Sequence, residues 1–110
     1  MIYNIIALPP FPKEFKRLAK KFPSLKGEYQ ELIRELKANP EKGTLLGNNV
    51  YKIRLAIASK GRGKSGGARV IIYLKTEQGN VYLLSIYDKS EKTVISDKEI
   101  RDILNSEFEE

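Results

Sequence analysis

Lys52, Arg54, Arg69, Tyr87 and Lys89 are the residues whose types and spacing can do chemistry in this chain. Lys52 and Arg54 stand two apart, so in an extended segment both point the same way. Arg69 and the pair Tyr87 and Lys89 fall in two later segments of the same alternating kind. Adjacent strands lie about 4.8 Å apart, so five such groups on three neighbouring strands can ring one phosphate. Arginine grips a phosphate through two parallel hydrogen bonds. Tyrosine stacks on a base or donates a hydrogen bond. A set of this kind can cleave RNA without histidine. The 2′-hydroxyl attacks the adjacent phosphate, and the cations stabilise the charge growing on its oxygens. A lysine or tyrosine of lowered pKa serves as base, and a cation protonates the leaving 5′-oxygen. No metal and no cofactor are expected, and no carboxylates cluster in the sequence to hold a metal.

The stretch SKGRGKSGGAR, residues 59–69, holds four glycines and four cations. Its GKS is the tail of a P-loop, but the first glycine of that motif would fall on Ala58, and a strand pattern follows where the motif needs a helix. The G-x-G-x-x-G of Gly61, Gly63 and Gly66 fails as a dinucleotide site for the same reason. A kinase-type glycine loop does lie between strands, but 110 residues leave no room for a second lobe. The remaining reading is a hairpin loop whose glycines let the backbone approach a ligand closely. Lys60, Arg62 and Lys64 then reach several phosphates of a nucleic-acid backbone. The plainer alternative is a solvated loop between two strands.

The charge distribution supports a polyanion partner. Residues 44–76 contain no acid and seven cations, while the rest of the chain holds 13 basic and 14 acidic residues. On this count the basicity is one patch on an otherwise balanced protein. The absence of cysteine excludes disulfides and thiolate metal sites and fits a reducing cytoplasm. The absence of histidine removes the usual general base. No apolar run nears the ~20 residues of a membrane span, and MIYNIIALPP lacks the cationic start of a signal peptide. A single cytoplasmic domain with no membrane partner is expected.

Residues 1–8 read as a strand, punctuated by Pro9, Pro10 and Pro12. Phe15, Leu18, Ala19 and Phe22 follow at helical spacing, and Pro23 stops that helix. Ser24 is positioned as N-cap of a second helix, whose apolar face is Leu25, Tyr29, Leu32, Ile33 and Leu36. Asn39 and Pro40 close it. The period then changes to two over residues 50–58, 68–75 and 81–89. Strict alternation places Tyr82, Leu84 and Ile86 on one side of the last strand, with Leu83, Ser85, Tyr87 and Lys89 on the other. Ser96 and Glu99 form a capping box before a helix striped by Ile100, Ile103 and Leu104. The expected fold class is α+β, ordered β-α-α-β-β-β-α. It has an antiparallel sheet, a helical hairpin on one face and a C-terminal helix. The uncovered face should show Lys52, Arg54, Arg69, Tyr73, Tyr87 and Lys89, with Tyr73 a further RNA contact.

The run YKIRLAIASKGRGKSGGARVIIYLKTEQGNVYLLSIYDKSEK, residues 51–92, resembles the core of the RelE/ParE toxin superfamily, and within it the HigB-type branch. The resembling pattern is K-I-R, then K-G-x-G-K-x-G-G-x-R-x-I-Y, then Y-L-L-x-I-Y-x-K. The resemblance implies a RelE-like fold and the toxin of a type II toxin–antitoxin pair, a monomer alone, that cuts mRNA on the ribosome. It implies a cognate antitoxin as partner, of helix-turn-helix type. Carried over by position, Lys52 and Arg54 are the basic pair of the first strand, and Arg69 binds the phosphate. Tyr87 and Lys89 stand where relatives place a catalytic aromatic or basic group, and Lys60, Arg62 and Lys64 contact ribosomal RNA or message. Relatives often carry arginine at the end of the last strand, where this chain has Lys89 and Ser90. Lys89 is then the candidate proton donor, with Tyr87 close behind. Two alternatives stand beside this reading: a ParE-like gyrase inhibitor and a non-catalytic RNA-binding module.

Overall fold

The computed structural model describes residues 2–60 and 66–108. The elements run β1 (Asn4–Ala7), α1 (Phe11–Lys21), α2 (Leu25–Ala38), β2 (Thr44–Gly47), β3 (Val50–Leu55), β4 (Ala68–Lys75), β5 (Asn80–Asp88) and α3 (Asp97–Phe108). The five strands form one sheet in the order β1-β5-β4-β3-β2. The expected antiparallel sheet is corrected to a mixed one, because β1 pairs with β5 in parallel. The helical hairpin carries the chain across the sheet from one edge to the other. No short turn joins β1 to its neighbour, so no local signal sets its direction.

β2 is a strand that alternation did not predict. It enters β3 through Asn48 and Asn49, at φ 50° and 64°. Two successive left-handed residues match the twist of a two-residue hairpin, and asparagine tolerates that conformation better than most residues. The register shifts between Leu45 and Gly47, so the pairing of β2 reaches only as far as Lys52.

β4 is central, and most of its side chains are buried on both faces. Val70, Ile72 and Leu74 lie in one core with Leu18, Leu25, Leu32 and Leu36 of the hairpin. Burial of each such side chain contributes about 1.5–3 kcal/mol. Ile71 lies in a second core with Val50, Leu84, Ile95 and Ile100. A bulge in β5 breaks strict alternation: Ile71 pairs with Ser85, but Ile72 pairs with Leu83. Leu83 and Ile86 therefore both join the hairpin core. Tyr82, Leu84 and Tyr87 join the other. Glu14 of α1 seats on the bulge, its carboxylate accepting from the Ser85 hydroxyl at 2.9 Å and the Ile86 amide at 3.1 Å. Burial pushes the Glu14 carboxyl upward, against the pull of those two donors.

The sheet face opposite the hairpin is only partly open, because α3 lies on it. Phe108 packs edge-on against Tyr82 at 5.0 Å and Tyr73 at 5.7 Å. The capping box forms as its sequence implies: the Glu99 amide donates to Ser96 Oγ at 3.1 Å, and the Ser96 amide to Glu99 Oε1 at 3.0 Å. Lys92 pairs with the same carboxylate. Together the Lys92 hydrogen bond and the Ser96 amide lower the Glu99 carboxyl to about 2. A carboxyl depressed on folding stabilises above its unfolded pKa and loses that contribution as pH falls through its folded one. Glu99→Gln should therefore lower Tm by a few degrees at most at neutral pH, since the pair is solvated. Melting curves across an acid series should show that gap closing between the ordinary glutamate pKa and about 2.

Candidate functional site

Strand register brings three of the expected site residues into one row. Arg54 of β3 lies directly opposite Arg69 of β4. Arg69 lies directly opposite Tyr87 of β5. Directly opposed residues on antiparallel strands share a face, with Cα atoms about 4.5–5.5 Å apart. Lys52 stands two residues from Arg54 on the same strand, in register with Ile71. Beside this row a groove of about 480 Å³ is lined by Lys42, Thr44, Lys52 and Arg54 at the stretch of β3 that β2 leaves uncovered.

The row descends from solvent into the protein. Arg54 is exposed, whereas Arg69 is only 4% exposed and Tyr87 5%. Arg69 Nη1 donates to the Ala68 carbonyl at 3.1 Å. Burial lowers the Arg69 pKa from its ordinary value, and the facing Arg54 charge lowers it further. Like charges held directly opposite one another repel.

Tyr87 answers differently from expectation. Burial pushes its phenol above the usual value, outweighing the Ile95 amide and the Arg69 and Lys92 charges that pull it down. The shift is upward, opposite to that of the lowered-pKa tyrosine base considered from sequence, and the hydroxyl oxygen is fully buried. The Lys92 ammonium lies 5.7 Å from its ring centre, a contact that alternation did not single out.

Other candidates stand elsewhere. Tyr73 belongs to the aromatic cluster under α3, stacked on Tyr82 at 6.2 Å, and so is not an open RNA contact. Lys89 follows the end of β5 and is half-buried; its amide donates to the Gly67 carbonyl at 3.1 Å. Arg62 and Lys64 lie outside the described residues. Lys60 is turned inward. Its ammonium meets Asp88 Oδ1 at 2.6 Å and Ser90 Oγ at 3.1 Å, and lies 5.5 Å from the Phe22 ring centre. The lysine side chain is 9% exposed and the aspartate 1%. Burial pushes the Asp88 carboxyl up, but the Lys60 and Ser90 hydrogen bonds outweigh it and the net shift is downward. Asp88 is the residue that sequence reasoning missed. Its signal was an acid at the end of an apolar strand, next to Tyr87 and opposite a cation-rich loop.

This pair fastens the exit of β3 to the exit of β5. The same root is tied to the helical hairpin: the Ala58 amide donates to Glu28 at 2.7 Å, and the Ser59 amide to Ser24 Oγ at 3.0 Å. Gly67 closes the other side, where an added Cβ would come within 2.2 Å of the Leu55 carbonyl oxygen. Among the described residues no group of three acidic side chains is placed to hold a metal ion, and no helix is long and apolar enough to cross a membrane.

The α+β fold, three helices on a five-stranded mixed sheet, is shared with solved structures. A free-state Escherichia coli toxin RelE, with two arginines changed to alanine, superposes with a TM-score of 0.65 at 18% identity, covering 98% of this chain and 100% of that one. The isolated E. coli RelE toxin superposes with a TM-score of 0.61 at 18% identity, over 94% and 98% of the two chains. Residues 11–106 match the sequence model for the RelE toxin of the RelE/RelB toxin–antitoxin system. The chain belongs to the RelE toxin family.

Asp88→Asn leaves Lys60 buried beside a neutral partner. It should destabilise the fold by roughly 3–5 kcal/mol, the usual result of removing one member of a buried pair. Urea unfolding should show this loss, and the double variant Lys60→Met with Asp88→Leu should recover most of it.

Proposed function

We propose that this chain is a type II toxin of the HigB kind that cleaves mRNA on the ribosome, and that a cognate antitoxin of helix-turn-helix type neutralises it. The observation that carries the reading is the Arg54–Arg69–Tyr87 row. A scissile phosphate placed on the row meets the Arg54 guanidinium at the surface, with Arg69 directly behind it and the Tyr87 hydroxyl buried beneath. Arg54 and Arg69 stabilise the charge that develops on the non-bridging oxygens, and do so more strongly for the transition state than for the ground state. The 2′-oxygen bonds to phosphorus while the bond to the 5′-oxygen breaks, leaving a 2′,3′-cyclic phosphate. The 5′-oxygen takes a proton from Lys89, since the Tyr87 hydroxyl is fully buried. With the Tyr87 phenol shifted upward, Lys52, two residues from Arg54 on β3, is the candidate to accept the 2′-hydroxyl proton. No step calls on a metal ion.

Arg69→Ala should abolish growth arrest and lower cleavage by roughly 10²–10³-fold, the scale of losing one preorganised electrostatic contact. Primer-extension mapping of mRNA ends in expressing cells, wild type beside variant, measures this. Arg69→Lys keeps the charge without the paired grip and should recover only part of the activity. Thermal melts of both variants separate loss of chemistry from loss of fold. Arrest by the wild-type chain with intact mRNA would instead support gyrase inhibition.

A further inference from the structure

We infer that the groove at the open end of β3 is a subsite for the RNA phosphate next to the scissile one, and that Lys42 is the cation that holds it. The inference deepens the nuclease reading and rests on it. Lys42 carries no signal in the sequence: it follows Glu41 and stands outside the acid-free block that begins at Thr44. Its role comes from where the chain is made to pass.

β2 lies against β3 only as far as Lys52, where Thr44 is directly opposite. β3 continues to Leu55, so β2 leaves its end uncovered. Gly43 fixes how closely the incoming chain crosses there. Its φ is 86°, and a Cβ at this position would come within 2.3 Å of the Lys52 carbonyl oxygen. Only glycine fits such an approach. Its two neighbours, Lys42 and Thr44, are thereby seated beside Lys52. The result is the groove of about 480 Å³, with the cations Lys42, Lys52 and Arg54, the Thr44 hydroxyl and no carboxylate along its walls. Its size is that of a small-ligand site.

Placement decides which phosphate it takes. Thr44 opposes Lys52, and Lys52 alternates with Arg54, which opposes Arg69. All four therefore share a face, and Thr44 stands two strand spacings from Arg69, about 10 Å. A scissile phosphate on Arg54 and Arg69 leaves the far wall of the groove to its neighbour along the RNA. The existing partner of Lys42 does not fill that place. Lys42 meets Glu35 at 3.5 Å, and both side chains are partly exposed. A solvated pair of this kind is worth little, so a phosphate competes for the ammonium. Beyond Lys42 the surface changes sign. The adjoining cleft is lined on its helix side by Glu28, Glu31 and Glu35, which repel any strand running on in that direction. The groove takes one phosphate rather than a tract, and the acidic wall turns the RNA back toward solvent.

The test is a thermodynamic cycle between side chain and phosphate, run on purified bacterial ribosomes programmed with short messages. Each message carries one uncharged methylphosphonate, at the phosphate before or after the scissile one. Single-turnover cleavage by the wild type should fall about tenfold when one of these two is neutralised, the scale of a lost charge-assisted hydrogen bond. Lys42→Gln should lose about as much on the unmodified message, and nothing further on that modified one. Lys42→Arg should keep most of the rate and the sensitivity to modification. Glu35→Gln frees the ammonium and should cut faster. Losses that simply multiply at both positions, in a Lys42→Gln chain of unchanged Tm, overturn the inference. The same cycle is read as affinity on messages with 2′-deoxyribose at the cleavage point. A wild-type chain that cuts no message sinks the nuclease reading; coupling in affinity then still supports the groove, and its absence overturns it.

Discussion

β4 is buried on both faces, and the geometry of the site follows from that constraint. A one-residue slip exchanges the two faces of a strand, so register is strongly specified wherever a face is buried. A slip here would drive Arg69 into the hairpin core and turn Val70, Ile72 and Leu74 out of it, since side chains alternate faces with a period of two. The register against β3 and β5 is thereby held by apolar burial on the far side of the sheet. Arg54, Arg69 and Tyr87 are aligned by a core that none of their polar groups enters.

Charge is used differently on the two sides of this sheet. On the arginine side, like charges face one another across β3 and β4, and burial with the Arg54 charge lowers the Arg69 pKa. On the hairpin side, opposite charges meet: Lys60 with Asp88, and Arg17 and Lys21 with Glu91. The Lys60–Asp88 pair is the deepest of these, and such pairs stabilise little relative to apolar replacements. Its evident effect is geometric. It sets where the glycine-rich connection leaves the sheet, one residue from Tyr87 and Lys89. Together with Gly67 and the Ser24–Ser59 contact, it joins three elements that have no sequence proximity.

The bulge in β5 serves the same end. Without the extra residue, Ile86 and Tyr87 would each occupy the opposite face, and Tyr87 would point into the helical hairpin. Glu14 stabilises the irregularity by accepting the Ile86 amide, so a helix on one face helps to aim a phenol toward the other. α3 then covers the Tyr73 and Tyr82 end of that face and leaves Arg54 exposed.

Local pattern determined much of this protein: both hairpin helices, the three long strands, the Ser96–Glu99 cap, and the placing of Lys52, Arg54 and Arg69 on one face. Each is encoded by periodicity or by a cap within a few residues, where backbone sterics and burial act without distant partners. Tertiary structure alone decided the rest. The parallel direction of β1, the bulge phase that re-aims Tyr87, the cover that α3 lays over Tyr73, and the inward turn of Lys60 onto Asp88 all join residues far apart in the chain. A linear pattern carries the type and spacing of side chains. It does not carry which distant surface or charge will stand opposite them, and for a buried ion pair or an irregular strand that opposition sets the energy.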